Sequence, residues 1–289
     1  MKSIALIGPG AIGGAVTVRL AQLTEHEVVV CARSEVRRFT LEAPEGKWTV
    51  MPKVHVSPDL VRPVDWIFVA TKAYDAAAAA KWFPNLTGPQ TRLAVLQNGV
   101  EHRARFAPYF PEERILPVIV DMPVERDVPG YFRQRRAGRF TVSRNSDGEE
   151  FAHIFRETGI EIRVTSDFQT EAWSKLAVNC AGAVSALVLK PASIVQRPEI
   201  ADLMRNLVRE CVAVGRAEGA CLEDSLVESV VERYRNGPQD SINSLHADRL
   251  AGRPMEVDVR NGVIVRLGRK HGIPTPFNQT IVTLLEASI

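Results

Sequence analysis

A chain of 289 residues holds enough material for two cores of ordinary size, since domains usually run to about 100–200 residues. With 45% hydrophobic and 24% charged residues, its composition is that of a globular protein, neither fibrous nor disordered. Lysine and arginine (36) exceed aspartate and glutamate (34) by only two, which argues against a nucleic-acid binder, and no run reaches the roughly 18 apolar residues that span a bilayer.

The first expected element is a strand, Ser3–Ile7, followed at once by Gly8-Pro9-Gly10-Ala11-Ile12-Gly13 and an apolar helix over Ala11–Leu23. These glycines also interrupt the apolar start too early for a signal peptide. Further strands are expected at Val28–Cys31, Trp66–Ala70, Leu93–Leu96 and Ile115–Val120, with helices at Tyr74–Trp82 and Glu101–Phe110. Each strand is rich in Val, Ile and Leu without polar alternation, as parallel strands covered on both faces should be. The alternation predicts right-handed βαβ units and a doubly wound, Rossmann-type parallel sheet. The basic stretch Phe132–Arg139 reads as a solvated loop or hairpin.

From Thr170 the texture changes, and long amphipathic periods replace the strand-like runs. Glu199–Glu218 sets Ile200, Leu203, Leu207, Cys211 and Val214 on one helical face. Leu222–Tyr234, Val257–Lys270 and Phe277–Ala287 also carry helical periods. The expected fold is therefore α/β: a dinucleotide-binding domain over residues 1–167 and an all-α substrate domain over 168–289, divided near Ser166–Gln169. Cys31, Cys180, Cys211 and Cys221 form no Cys-x-x-Cys pair and no Cys/His cluster. They read as buried small hydrophobes in a reducing, cytoplasmic compartment, and no metal site is expected.

Gly8–Gly13 fits G-x-G-x-x-G in its required context, after a strand and at the start of a helix. Gly8 suits the tight turn, Gly10 the approach of a pyrophosphate, and Gly13 close packing of helix on strand. The N–H groups at Ala11 and Ile12, with the helix dipole, suit a phosphate. Pro9 completes the loop. The second strand ends Val30-Cys31-Ala32-Arg33-Ser34, without the acid that would hold a ribose 2′-hydroxyl, and Glu35 sits past the turn. Arg33, assisted by Arg37 or Arg38, offers a guanidinium for a 2′-phosphate, so the expected cofactor is NADP(H).

Two polar clusters, Thr71-Lys72-Ala73 and Gln97-Asn98-Gly99, follow strands, at the edge where open α/β sheets bind ligands. Trp173-x-Lys175-Leu176-x-x-Asn179 opens the helical half and sets Lys175 and Asn179 one helical turn apart. Later comes Arg253-Pro254-Met255-Glu256-Val257-Asp258-Val259-Arg260-Asn261-Gly262. Together, in this order and over nearly the whole chain, these motifs resemble the ketopantoate reductase family. The resemblance implies NADPH-dependent reduction of a small 2-keto acid, ketopantoate to pantoate on the way to coenzyme A, with Lys175 as proton donor. It further implies Lys72 and Asn98 at the nicotinamide ribose and substrate, and Asn179 and Ser244 on substrate polar groups. Glu256 would close the site over the cofactor and is counted with Lys175 as catalytic, an ion pair being its alternative reading. A lysine is apt chemically, because hydride delivery leaves negative charge on the carbonyl oxygen that a nearby cation stabilises and protonates.

The chain departs from the family pattern at Ala183, where a second asparagine is common, and at Asn243-Ser244-Leu245, where Ser-Ser-Met is usual. Both departures are expected to face substrate and to alter which 2-keto acid is accepted. Two other readings are a reductase of a different 2-keto acid and a catalytically silent NADP-binding redox sensor. Lys72, Asn98, Lys175 and Glu256 together speak against the sensor, which needs only the nucleotide site. The expected partner is the small-molecule substrate, with neither nucleic acid nor membrane. Oligomeric state is open, with a homodimer through the helical domain as the form considered.

Overall fold

The structure, a computed structural model, describes residues 1–288, which divide into two compact units, Met1–Phe168 and the residues from Gln169 onward. The first unit begins β1 (Lys2–Ile7), α1 (Ala11–Ala21), β2 (His26–Cys31), β3 (Phe39–Ala43), β4 (Gly46–Val50), β5 (Lys53–His55) and β6 (Val64–Val69). It continues α2 (Ala76–Ala80), α3 (Phe83–Leu86), β7 (Thr87–Val95), α4 (His102–Phe106), β8 (Ile115–Pro117) and β9 (Ile119–Asp121). It ends with β10 (Val124–Val128), β11 (Tyr131–Gln134), β12 (Gly138–Ser143), α5 (Ser146–Ile154) and β13 (Ile160–Thr165).

The main sheet is parallel throughout, in the order β5-β2-β1-β6-β7-β8. Successive side chains of a strand point to opposite faces, and here both faces are dry. Ile4 and Leu6 of β1 join Trp66 and Phe68 of β6 against Val16 and Leu20 of α1 and Phe151 of α5. Ala5 and Ile7 join Ile67 and Val69 against Ala76 and Ala79 of α2, Phe83 of α3 and Phe106 of α4. Burial on both sides is why the strands read as continuous apolar runs. The strand order runs outward from β1 in both directions. A doubly wound sheet binds its ligand at such a switch point, beyond the carboxyl ends of the strands.

Sequence reading misses β3–β5 and β10–β13. Apart from β5, which joins the edge of the main sheet, they build two smaller sheets with β9, in the orders β10-β11-β3-β4 and β13-β12-β9. The first lies over α1, with the Phe132 ring against Gly14, so that a Cβ at Gly14 would stand 1.9 Å from Phe132 Cζ. Such strands are apolar on one side only, and a search for continuous apolar runs passes over them. The basic stretch is indeed part of a hairpin, β10 with β11, studded with ion pairs. Arg133 meets Asp127 at 3.1 Å, Arg135 meets Glu125 at 3.0 Å, Arg136 meets Asp121 at 2.9 Å and Arg139 meets Glu161 at 2.8 Å. Exposed pairs of this kind contribute at most about 1 kcal/mol each.

The second unit is helical: α6 (Phe168–Ala181), α7 (Ala183–Val188), α8 (Pro198–Ala217), α9 (Leu226–Asn236), α10 (Ser244–Leu250), α11 (Val263–His271) and α12 (Pro276–Glu286). Leu207, Cys211 and Val214 of α8 are buried as their period requires. Helix α10, absent from the sequence reading, starts where the Asn243 side chain accepts from His246 N at 3.1 Å. The helix expected from Val257 instead opens with one π-helical turn, Asp258–Gly262, before α11. Cys31, Cys180 and Cys211 are buried, but Cys221 is exposed, which corrects the expectation that all four pack inside. It lies in the turn after α8, where its N–H donates to Thr170 Oγ1 at 2.7 Å.

Candidate active site

The three glycines of the fingerprint have three separate explanations. Gly8 has φ +89°, open to glycine but not to most side chains, and a Cβ there would stand 2.5 Å from Thr71 Cγ2. A Cβ on Gly13 would stand 2.3 Å from the Gly8 carbonyl oxygen. Gly10 is different. Its φ of −70° needs no glycine, and a Cβ there would meet nothing within 4 Å. Its missing side chain serves no contact within the protein, so it leaves room for something else. Gly10 also begins α1, and neither a capping side chain nor an acid occupies the first turn. The helix therefore presents its orphan N–H groups and the positive end of its dipole to that space, the arrangement that holds a phosphate. A pyrophosphate fits the residues present.

Arg33, just past the end of β2, has a side chain 91% exposed and only a loose contact, 3.8 Å, with Asp75. Arg37 is engaged by Glu35 at 3.0 Å. Lys72 and Asn98, both half-buried, leave the carboxyl ends of β6 and β7. Gln97 ties these two loops together, its Nε2 donating to Thr71 Oγ1 at 3.1 Å and to the Lys72 carbonyl at 3.3 Å. His102 holds the loop from below, its Nε2 lying 2.8 Å from the Gln97 carbonyl. Sequence reading quotes Gln97 as part of a motif without seeing this role, and it misses His102.

Burial pushes the His102 imidazole down to about 4, well below its usual value. Its Nδ1 is buried and unpartnered, so the ring is neutral, with the proton on Nε2. A neutral folded-state histidine takes up a proton on unfolding at any pH between about 4 and its model value of 6.5. Its contribution is complete above about 6.5 and falls as acidity approaches 4, by about 3 kcal/mol at most. His26, His55 and His246 are also lowered by burial and add in the same direction. Chemical denaturation of the native protein and His102→Gln from pH 7 to pH 4.5 should show a shallower loss in the variant; parallel curves would assign the slope to other groups.

In the second unit Lys175 and Asn179 are half-buried on α6, one turn apart, while Trp173 and Leu176 on the opposing side are core. The Tyr234 hydroxyl, whose pKa burial raises to about 12, donates to the Val178 carbonyl at 2.9 Å and so fixes the end of α6 beside Asn179. Glu256 is buried, and Ser244 is exposed at the first turn of α10. Arg260, which the sequence reading leaves without a role, is 3% exposed and donates from Nη2 to Ser244 Oγ at 2.8 Å. Burial lowers its pKa, and the nearby Glu256 charge works the other way. The remaining motif residues are structural. Asp258 pairs with Arg266 at 2.6 Å on the surface. Asn261 donates to the Cys180 carbonyl at 3.2 Å and to Asn278 Oδ1 at 2.9 Å; Asn278 in turn donates to Glu210 Oε2 at 2.7 Å. This buried network joins α6, α8, α12 and the π-turn.

The two departures from the family pattern also have structural roles. Ala183 is 0% exposed at the start of α7, so its methyl belongs to the core and forms no open wall. Asn243 caps α10 and donates to the Gly182 carbonyl at 2.7 Å, which pins the break between α6 and α7. Ala183 and Asn243 thus have packing and capping roles, while Ser244, in the same stretch as Asn243, stays exposed. Among the described residues no group of His, Cys, Asp and Glu could hold a metal ion, and no helix is long and apolar enough to cross a membrane.

Residues 4–147 match the family Ketopantoate reductase PanE/ApbA, and residues 167–288 match Ketopantoate reductase PanE/ApbA C terminal. The chain is 54% identical over 288 residues to the 2-dehydropantoate 2-reductase of Caulobacter vibrioides, covering 100% of this chain and 99% of that one. The crystal structure of 2-dehydropantoate 2-reductase from Geobacter metallireducens superposes with a TM-score of 0.93 at 26% identity, over 99% of this chain and 100% of that one. A dimeric ketopantoate reductase from Staphylococcus aureus gives 0.87 at 25% identity, over 99% and 98%. On full-length sequence likeness and on fold, the chain belongs to the ketopantoate reductase PanE/ApbA family.

Proposed function

We propose that the chain reduces the C2 carbonyl of ketopantoate to the hydroxyl of pantoate, with NADPH as reductant. The observation that carries the cofactor is Gly10, open to space at the uncapped start of α1. The substrate rests on the 54% full-length identity to a 2-dehydropantoate 2-reductase. In this reading the first unit holds nucleotide and the second holds substrate, the division of work expected for residues 1–167 and 168–289.

NADPH, when bound, supplies the hydride. The Gly8-Pro9-Gly10 turn, the Ala11 and Ile12 amides and the close-packed Gly13 take the pyrophosphate, and Arg33 takes the 2′-phosphate. Lys72 and Asn98 orient the nicotinamide ribose and the substrate, a placement supported by the Gln97 tie between their loops. As charge develops on the carbonyl oxygen, the Lys175 ammonium stabilises it and then donates its proton there. Asn179 and Ser244 hold the other polar groups of the acid, and Glu256 closes the site. The dimeric Staphylococcus aureus relative supports a homodimer. Three buried, unpaired cysteines and one exposed free one suit a reducing cytoplasm.

A substrate panel tests this reading: ketopantoate, 2-ketoisovalerate and bulkier 2-keto acids, each with NADPH and with NADH. Ketopantoate with NADPH should give the highest kcat/KM. If no acid in the panel oxidises either cofactor above the rate without protein, the reading is wrong. NADPH should bind at least about tenfold tighter than NADH, roughly 1.4 kcal/mol, and Arg33→Ala should remove most of that difference. Equal dissociation constants in the native protein would remove Arg33 from the cofactor site.

A further inference from the structure

Arg260 is an anomaly in the helical unit. Its guanidinium is 3% exposed, its Nε has no hydrogen-bond partner, and among the described residues no carboxylate lies within ion-pair distance of it. The charges of Glu256, one turn back along the chain, and of Asp248, held by Arg253 at 2.9 Å, favour the guanidinium from a distance, but neither carboxylate hydrogen-bonds to it. A buried charge without a partner is costly, and an apolar side chain of similar volume packs as well or better. Among the described residues its one side-chain hydrogen bond is to Ser244 Oγ, at 2.8 Å.

That bond sets what Ser244 can do. A hydroxyl carries one proton and two lone pairs, and an arginine has only protons to give. With Arg260 donating into Oγ, the serine proton must point elsewhere, and among the described residues no acceptor takes it. Ser244 is exposed at the first turn of α10, so that proton is available to an acceptor from outside the protein. A hydroxyl polarised by a guanidinium behind it is a stronger donor and favours an anionic acceptor over a neutral one. We infer that Arg260 is a positioning residue that fixes Ser244 as a hydrogen-bond donor to the carboxylate of the 2-keto acid. The inference rests on the proposed 2-keto acid reductase activity and adds the element that selects acids over their uncharged analogues.

The test compares a 2-keto acid with its amide in the native protein, Arg260→Met, Arg260→Lys, Ser244→Ala and the double variant Arg260→Met/Ser244→Ala. Arg260→Met should raise KM for the acid by about 10- to 100-fold, the range expected for one charge-assisted hydrogen bond. The kcat, the NADPH dissociation constant and the KM for the amide should each stay within about threefold, because the effect is confined to carboxylate binding. Arg260→Lys, which keeps the charge without the fork, should fall between. Adding Arg260→Met to Ser244→Ala should change KM by less than about threefold, since the arginine acts through the serine. An unchanged KM in a folded Arg260→Met protein would overturn the inference. So would multiplicative effects in the double variant, or parallel weakening of acid, amide and NADPH, which marks a structural role. Should Arg260→Met fail to fold, the cycle of Arg260→Lys with Ser244→Ala separates the same outcomes. A native protein inactive on every 2-keto acid would instead sink the proposed activity itself.

Discussion

Lys175→Ala is expected to lower kcat by about 10²–10⁴, the usual worth of a positioned proton donor, while the NADPH dissociation constant stays close to native. Lys175 lies on α6, outside the Gly8–Asn98 elements assigned to the nucleotide, so catalysis and cofactor affinity should separate. Its helix is held independently of it, by buried Trp173 and Leu176 and by the hydrogen bonds of Tyr234 to Val178 and of Asn261 to Cys180. The truncation should therefore fold. Stopped-flow reduction of ketopantoate reads the step directly. Turnover within about threefold of native would mean the proton comes from another group.

The second large effect belongs to Gly10. Gly10→Val should raise the NADPH dissociation constant by at least about 100-fold, roughly 2.7 kcal/mol. The added side chain enters the space into which the first amides of α1 point, and each charge-assisted hydrogen bond lost there costs about 1.5–3 kcal/mol. Folding should suffer far less. The backbone at Gly10 suits any residue and the new Cβ meets no protein atom, so the cost is about 1 kcal/mol for a poorer helix cap. Gly13→Val is the control with the opposite signature, since its Cβ would strike the Gly8 carbonyl and unsettle β1 and α1 themselves. Fluorescence titration with NADPH beside thermal melts separates the two. A Gly10→Val protein that binds NADPH within about threefold of native would show that no phosphate sits at that turn.

Some of the fold is legible in the sequence because the physics is local. The stretches Ile4–Ile7, Val28–Cys31, Trp66–Val69 and Leu93–Val95 have no polar positions, so β1, β2, β6 and β7 announce themselves. The glycine fingerprint is contained in six consecutive residues. The strands β3, β4, β10 and β11 stay hidden because one of their faces carries Lys, Arg and Glu, which read as loop or solvated hairpin. Within the site, Gln97 and Arg260 stand in the same motifs as the residues proposed for the chemistry, but the motifs do not show which side chains they hold. Gln97 reaches Thr71 across 26 positions, and Arg260 reaches Ser244 across 16. No spacing rule marks such contacts, because they depend on how β7 lies beside β6 and on the π-turn that carries Arg260. Ala183 shows the same limit from the other side: the motif marks a changed residue, but only the fold shows that its methyl is buried at the start of α7.

Hydride transfer from NADPH to C2 of the keto acid is the central step proposed for this chain. Ketopantoate incubated with the protein and NADPH deuterated separately at each face of nicotinamide C4 should give pantoate carrying deuterium at C2 from one of the two preparations and none from the other. Pantoate free of deuterium from both, or no pantoate at all, would contradict that reduction.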